Sequence, residues 1–235
     1  MSSQSNLGRL TRVEKADWRL EAVRWILPIG WCLAAVGFLG PWVSHPTAAL
    51  ALTGVDMAEF VKFLPGVLDG SLKLTRQWFY LPPFAITVSI ALLIGSHSLH
   101  YSKLLRALGL LLAIPVSLQL LPPAWSPSSL MTAEFRAQTI ALGISWLLLA
   151  SFWLLRRLPA WLLGSLGAAL SVIALVLPMW QFLIAKPAID EVYGTPPGAG
   201  WGIFLCLTGV TITAAAGALL ALMTRSRTET QRASS

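Results

Sequence analysis

Charge is what this chain has least of. Asp, Glu, Lys and Arg together make up 11% of its 235 residues, where an ordinary soluble domain carries about 25%. So few charges could not cover the surface of a soluble fold of this length, which excludes a cytosolic enzyme. The apolar content excludes a disordered tail. Cysteine is scarcer still. Cys32 and Cys206 alone cannot staple a secreted scaffold, and neither sits in a metal-ligand spacing. Both fall inside apolar segments at different depths, so they are expected as buried, unbridged small side chains. The first 24 residues are polar and charged and contain no short apolar core, so no cleavable signal peptide is expected.

What is abundant is apolar. Hydrophobic residues reach 56% and the mean hydropathy is +0.70. Six apolar segments have about the roughly 20 residues that a bilayer crossing demands: Trp25–Val43, Phe79–Ser98, Leu104–Leu121, Thr139–Leu155, Ala160–Trp180 and Trp201–Met223. The expected fold class is therefore all-α, a polytopic membrane protein with a six-transmembrane-helix bundle and an N-terminal amphipathic helix. Its expected divisions are a leader over 1–24, a membrane domain over 25–223 and a disordered tail over 224–235. The outer loops should cover about 44–78, 122–138 and 181–200.

The net charge of +7 suggests a nucleic-acid partner until the charges are placed. With the N-terminus inside, the inner segments hold Arg9, Arg12, Lys15, Arg19, Arg24, Lys103, Arg106, Arg156, Arg157, Arg225, Arg227 and Arg232. The outer segments hold only Lys62, Lys73, Arg76, Arg136 and Lys186. Twelve cations against five set the orientation by the positive-inside rule. The basic balance is then a topogenic signal, no nucleic acid is expected, and a bacterial-type inner (plasma) membrane with both termini cytoplasmic follows. In topology alone this arrangement resembles the six-helix membrane subunits of ABC export systems, which also begin with an inner-face amphipathic helix. The resemblance is one of fold level, and it implies a permease-type subunit with membrane or ATPase partners.

Thr11 to Arg24 reads as the leader helix. Thr11-Arg12-Val13-Glu14 fits a capping box, and Leu10, Val13, Leu20 and Val23 form an apolar stripe suited to the headgroup region or to a partner. In the first outer loop, Asp56 to Leu64 reads as a short helix. Asp56 should be its N-cap, Met57, Phe60, Val61 and Leu64 its apolar face, and Pro65-Gly66 its end. Pro41-Trp42, Pro122-Pro123-Ala124-Trp125 and Pro178-Met179-Trp180 end the odd-numbered spans and are followed by acids. Three copies of one hairpin would give this pattern, and so would interfacial Trp alone.

No Asp, Glu, Lys, Arg or His falls in the middle of any span, and Arg106 and His97 lie near inner ends. Proton relays and carboxylate-dependent antiporters place such groups at depth, so both are disfavoured. Ser117, Gln119, Ser145, Ser171, Thr208, Thr211 and Thr213 remain as helix glue. Pro115, Ser117 and Gln119 are the one candidate intramembrane polar pocket. Gly209, Thr213, Gly217 and Ala221 recur every fourth residue and offer a close-packing face to a helix of this chain or of a partner. Gly164 with Ala168, and Gly167 with Ser171, repeat the pattern.

His97 and His100, at i and i+3, lack a third ligand and read as interfacial, with His100, Tyr101 and Lys103 at lipid headgroups. Gly198-Ala199-Gly200-Trp201-Gly202 lacks the lysine of a phosphate loop and should let the chain turn into the last span. The outer acids Asp56, Glu59, Glu134, Asp190 and Glu191 are the one group able to do acid–base work or hold a cation, if they converge. No metal and no cofactor is expected. A non-enzymatic permease-type or accessory subunit of a membrane complex fits best. A membrane enzyme or lipid-handling protein with an outer acidic site, and a passive scaffold or sensor, are the alternatives.

Overall fold

A computed structural model describes the backbone of residues 3–45, 47, 51–122, 125–194 and 196–233, and the side chains of those between 18 and 226. In chain order its helices are α1 (Ser3–Leu39), α2 (Gly54–Phe60), α3 (Pro65–Leu68), α4 (Leu81–Leu93), α5 (Lys103–Leu118), α6 (Pro127–Leu130), α7 (Arg136–Ala150), α8 (Phe152–Leu155), α9 (Ala160–Tyr193) and α10 (Trp201–Ala233). The strands are β1 (Pro41–Ser44), β2 (Leu52–Thr53) and β3 (Gly198–Ala199).

The protein is mostly helical, and three of its helices are long and apolar enough to cross a membrane: Trp18–Leu39 within α1, Ala160–Tyr193 and Trp201–Ser226. The other expected crossings are shorter, with 13 residues in α4, 16 in α5 and 15 in α7. Local sequence shortens two of them. Pro82 and Pro83 fix the start of α4 behind a 3-10 turn over Arg76–Tyr80, and α7 breaks at Ser151 before α8 resumes.

Two expected boundaries move outward. The leader is helical but not separate. Nothing between Thr11 and Arg24 is Pro or Gly, so the helix runs unbroken into the first crossing. Leu20 and Val23 are buried against the bundle, while the side chains of Leu10 and Val13 lie outside the described residues. At the other end α10 stays helical to Ala233, through residues expected to form a disordered tail.

The centre of the bundle is α1 against α10, α10 against α9, and α9 against α4, with α5 and α7 attached on the far side of α4. Glycine makes the first two contacts close. An alanine Cβ at Gly37 would stand 2.1 Å from the Cys206 backbone nitrogen, and one at Gly209 2.2 Å from that of Ala34. On the other side of α10, a Cβ at Gly217 would lie 3.0 Å from the Gly164 carbonyl oxygen. With no hydrophobic drive between helices in lipid, such backbone-to-backbone approach supplies the packing energy. Several buried hydroxyls are satisfied locally. Ser145, Ser171 and Thr213 donate to carbonyls one turn back, and Trp31 Nε1 donates to Ser89 Oγ at 3.0 Å to tie α1 to α4.

A cap closes the end of the bundle where α1 stops and α10 starts, and it contains a three-stranded sheet that apolar periodicity does not signal. β1 pairs antiparallel with β2 through Pro41 opposite Thr53 and Val43 opposite Leu52, and with β3 through Val43 opposite Ala199. The glycine-rich run before α10 therefore serves close approach rather than a tight turn. Gly200 N donates to Trp42 O at 2.9 Å, and a Cβ at Gly200 would meet Pro41 O at 2.1 Å. Trp42, expected at the lipid interface, is instead 1% exposed. It packs edge-on against Phe38, Phe79 and Phe182, and its Nε1 donates to Gly37 O. α9 passes its expected end at Trp180 and joins this cap, so Pro178 lies inside a helix and the three proposed hairpins are not alike.

Candidate functional site: an ion cluster over a cavity

The short helix expected at Asp56 to Leu64 is present as α2 and a following 3-10 turn over Val61–Phe63. Met57, Val61 and Leu64 are buried, as an apolar face demands. The cap is shifted: Thr53 is the N-cap, and Asp56 completes the capping box by accepting from Thr53 N at 3.0 Å. Asp56 is thus committed to holding the helix start. Its role orients Glu59, one turn on, towards the 3-10 turn that carries Arg76 and Tyr80.

Glu59 and Glu134 converge, and two cations lie between them. Arg76 Nη1 reaches Glu59 Oε1 at 2.7 Å and Lys62 Nζ reaches Glu59 Oε2 at 2.7 Å. The same cations contact Glu134 Oε1, at 3.3 Å from Arg76 and 3.2 Å from Lys62. Arg76 also donates to the Glu134 backbone carbonyl at 3.0 Å and stacks over the Phe135 ring at 5.2 Å. Tyr80 Oη donates to Glu59 at 3.0 Å. Two anions and two cations balance, and they clamp the segment between α1 and α4 to the start of α7.

Partial burial works to raise the Glu59 pKa. The hydrogen bonds from Lys62 and Tyr80 and the nearby charges of Arg76 and Lys62 outweigh it and leave the carboxyl below its ordinary range. Lys62 is raised, chiefly by its bond to Glu59. A carboxylate held this way is a poor proton acceptor at neutral pH, so the cluster suits clamping or ligand recognition better than acid–base work.

The remaining outer acids stand apart from this cluster. Asp190 is paired along its own helix with Lys186, and Glu191 is exposed near the end of α9, where its carbonyl accepts from Gly194 N at 3.2 Å. The three residues of the expected intramembrane pocket are placed differently from one another. Pro115 is exposed, while Ser117 is buried, donates to Ile114 O at 2.7 Å and accepts from Trp146 Nε1 at 3.0 Å. Gln119 caps the end of α5, its Oε1 buried without a partner. The face of Gly209, Thr213, Gly217 and Ala221 is taken up within the chain: Gly209 and Thr213 meet α1 at Ala34 and Gly30, and Gly217 and Ala221 meet α9 at Gly164. Both cysteines are free, but Cys32 is exposed and only Cys206 is buried. Among the described residues no three His, Cys, Asp or Glu side chains are grouped to hold a metal.

Beneath the ion cluster lies a cavity of about 200 Å³ walled by Trp78, Tyr80, Phe84, Leu120 and Ala141. Gln138 also lines it. This side chain is 3% exposed, and neither its Oε1 nor its Nε2 makes a well-formed hydrogen bond, its amide having only a weak polar contact with the Tyr80 hydroxyl. Sequence reasoning missed Gln138 because it was placed in the loop just before the span at Thr139; the helix begins at Arg136 and carries it inside. An unpaired buried amide is costly, at about 1–3 kcal/mol. Gln138→Leu is therefore expected to stabilise the purified protein by about 1–2 kcal/mol, read as a higher denaturation midpoint in detergent. A lower midpoint would mean that the amide is already bonded to something in the cavity.

Comparison with protein-family models, with curated proteins and with solved structures finds no match for this chain. Its function has to be argued from the geometry.

Proposed function

We propose that the chain is a six-span membrane protein with both termini cytoplasmic, and that it serves as a non-enzymatic, permease-type or accessory subunit of a membrane complex. The lengths are compatible with six crossings. The 3-10 turn and α4 together run from Arg76 to Leu93, and α7 with α8 from Arg136 to Leu155. At 1.5 Å per residue these span about 27–30 Å, and α5 about 24 Å, which a modest local thinning of the bilayer accommodates.

The observation that favours a subunit of a complex is Gly143. Every other described glycine within a helix abuts another element or side chain, but a Cβ at Gly143 would meet nothing within 4 Å. It sits in α7 between Ile140 and Leu147, 52% and 66% exposed, on an apolar face that nothing among the described residues covers. A small residue on such a face is what a partner helix needs for close approach. The neutralised outer acids support the non-enzymatic part of the reading.

Gly143→Leu is expected to abolish co-purification of a stoichiometric membrane or ATPase partner from native membranes in mild detergent, with the denaturation midpoint unchanged. A wild-type protein that purifies as a single species, or a Gly143→Leu variant that keeps its partner, would contradict the reading.

The unpaired Gln138 amide favours one alternative, an outer-face lipid-handling role in which a ligand with an apolar body and one hydrogen-bonding group occupies that cavity. A lipid retained by the wild type and lost from Gln138→Leu, with the midpoint falling rather than rising, would support it.

A further inference from the structure

The other end of the bundle holds a second pair of cavities that the outer cluster does not involve. One, of about 520 Å³, lies between Leu20, Glu21 and Arg24 of α1 and the turn His97–His100 that joins α4 to α5. The next, of about 250 Å³, lies between Pro28, Trp31 and Cys32 of α1 and Leu105, Leu108 and Leu112 of α5. On α1 the positions 20, 24, 28 and 31 fall on a single helical face, so the two cavities lie end to end along it as a furrow in two parts. From Leu20 to Cys32 it extends about 18 Å at 1.5 Å per residue.

The furrow changes character along its length. Its mouth is lined by Arg24, Glu21 and two imidazoles, and its far part almost wholly by apolar side chains. Tyr101, next to His100 in the chain, lines the apolar part. Its ring is 3% exposed, and its hydroxyl is buried without a partner. Arg24 Nε is likewise buried and unpaired, while its guanidinium makes a long contact to Glu21 at 3.4 Å and lies over the Trp25 ring at 5.6 Å. Two hydrogen-bonding groups are thus left open where a polar mouth meets an apolar groove. Leaving such groups unpaired is unfavourable unless a ligand completes them.

We propose that this furrow binds one anionic phospholipid, its phosphate at Arg24 and the His97–His100 turn, its glycerol region at Tyr101, and an acyl chain along α1 and α5. The assignment to the inner leaflet rests on the topology proposed above, which puts this end of the bundle at the cytoplasmic face. A free phosphorylated solute would leave the apolar groove unfilled. A zwitterionic lipid would bring its own ammonium group towards Arg24. An anionic lipid satisfies both halves.

Cys32 provides a native reporter, because it lines the groove and is exposed while Cys206 is buried. The test follows alkylation of Cys32 by N-ethylmaleimide in the full-length detergent-solubilised protein, by intact mass. The probes are phosphatidylglycerol, phosphatidylcholine and inorganic phosphate. Phosphatidylglycerol is expected to slow alkylation about ten-fold, phosphatidylcholine far less, and inorganic phosphate not at all. Arg24→Gln should restore the fast rate in phosphatidylglycerol. Tyr101→Phe, which keeps the ring, should restore it in part with the denaturation midpoint level or raised, never lowered.

Equal protection by both lipids, competition by inorganic phosphate, or full protection in Arg24→Gln would overturn the proposal. Loss of phosphatidylglycerol selectivity while Ser98→Cys stays shielded from the outside of intact cells would contradict the lipid site alone. Intact selectivity with Ser98→Cys labelled from outside would contradict the topology and the inner-leaflet assignment, leaving the lipid contact itself in place.

Discussion

Gly209→Ala lowers the stability of the purified protein by about 3 kcal/mol or more. The new Cβ would stand 2.2 Å from the backbone nitrogen of Ala34 and 2.6 Å from the carbonyl oxygen of Gly30. Both are backbone atoms, so no rotamer change relieves the clash, and α1 and α10 must separate. Overpacking a close contact costs about 1–3 kcal/mol, and more where the neighbour cannot move. The higher helix propensity of alanine returns at most about 1 kcal/mol. Gly143→Ala is the matched control, since its Cβ enters open space and leaves only the propensity gain. Detergent denaturation midpoints should fall for Gly209→Ala and stay level or rise for Gly143→Ala. Gly37→Ala, whose Cβ would lie 2.1 Å from Cys206 N, should match Gly209→Ala, and the double variant should be less than additive because both open one seam. Similar midpoints for the 143 and 209 variants would contradict the packing described.

Arg76→Gln is the second large effect, at about 2 kcal/mol. Removing one partner of a fully buried ion pair costs about 3–5 kcal/mol, and the value is lower here because Lys62 still faces Glu59 and the Glu134 side chain is 49% exposed. The variant should also loosen the clamp between the first outer loop and α7, seen as faster hydrogen exchange at residues 54–60. Glu59→Gln combined with Arg76→Gln should cost less than Arg76→Gln alone, because the stranded charge goes with its partner. The sign of the pH dependence follows from the lowered Glu59 pKa. Its contribution is complete above the carboxyl's unfolded value, about 4.3, and disappears as pH falls through the folded value. Acid titration of the wild type should therefore show a loss below about pH 4.3 that is smaller in Glu59→Gln. An identical acid profile in both proteins would show that the cluster contributes no stability.

Much of this fold was legible because lipid imposes simple rules. Apolar length located the helices, and alternating glycines marked α10 as a packing face. Its mate on α1 was not legible, because Gly30 and Gly37 are seven residues apart and only antiparallel placement against α10 reveals them as partners. The cap was not legible either. β2 and β3 have two residues each, too few for periodicity, and β3 is held by pairing with β1 across more than 150 positions of sequence.

In the site, residue type pointed to the outer acids as a group, and only Glu59 and Glu134 came together. Asp56 was consumed by a cap one turn earlier, and Asp190 by a neighbour on its own helix. Arg76, Tyr80 and Gln138 gave no local signal, since an arginine, a tyrosine and a glutamine at span edges look like ordinary interface residues. Their roles come from tertiary placement: a 3-10 turn that aims Arg76 and Tyr80 at Glu59, and a helix start that carries Gln138 inside.

Cysteine accessibility in intact cells tests the six-span topology most directly. In a Cys32→Ser background, Ser71→Cys, Ser128→Cys and Ser98→Cys mark the first outer loop, the loop holding α6, and the turn between α4 and α5. With cytoplasmic termini and six crossings, a membrane-impermeant maleimide labels positions 71 and 128 from outside, and position 98 only after the cells are opened. Labelling of 98 from outside, or of 71 and 128 from opposite sides, would show that α4 and α5 do not both cross, and would contradict the topology on which the subunit reading rests.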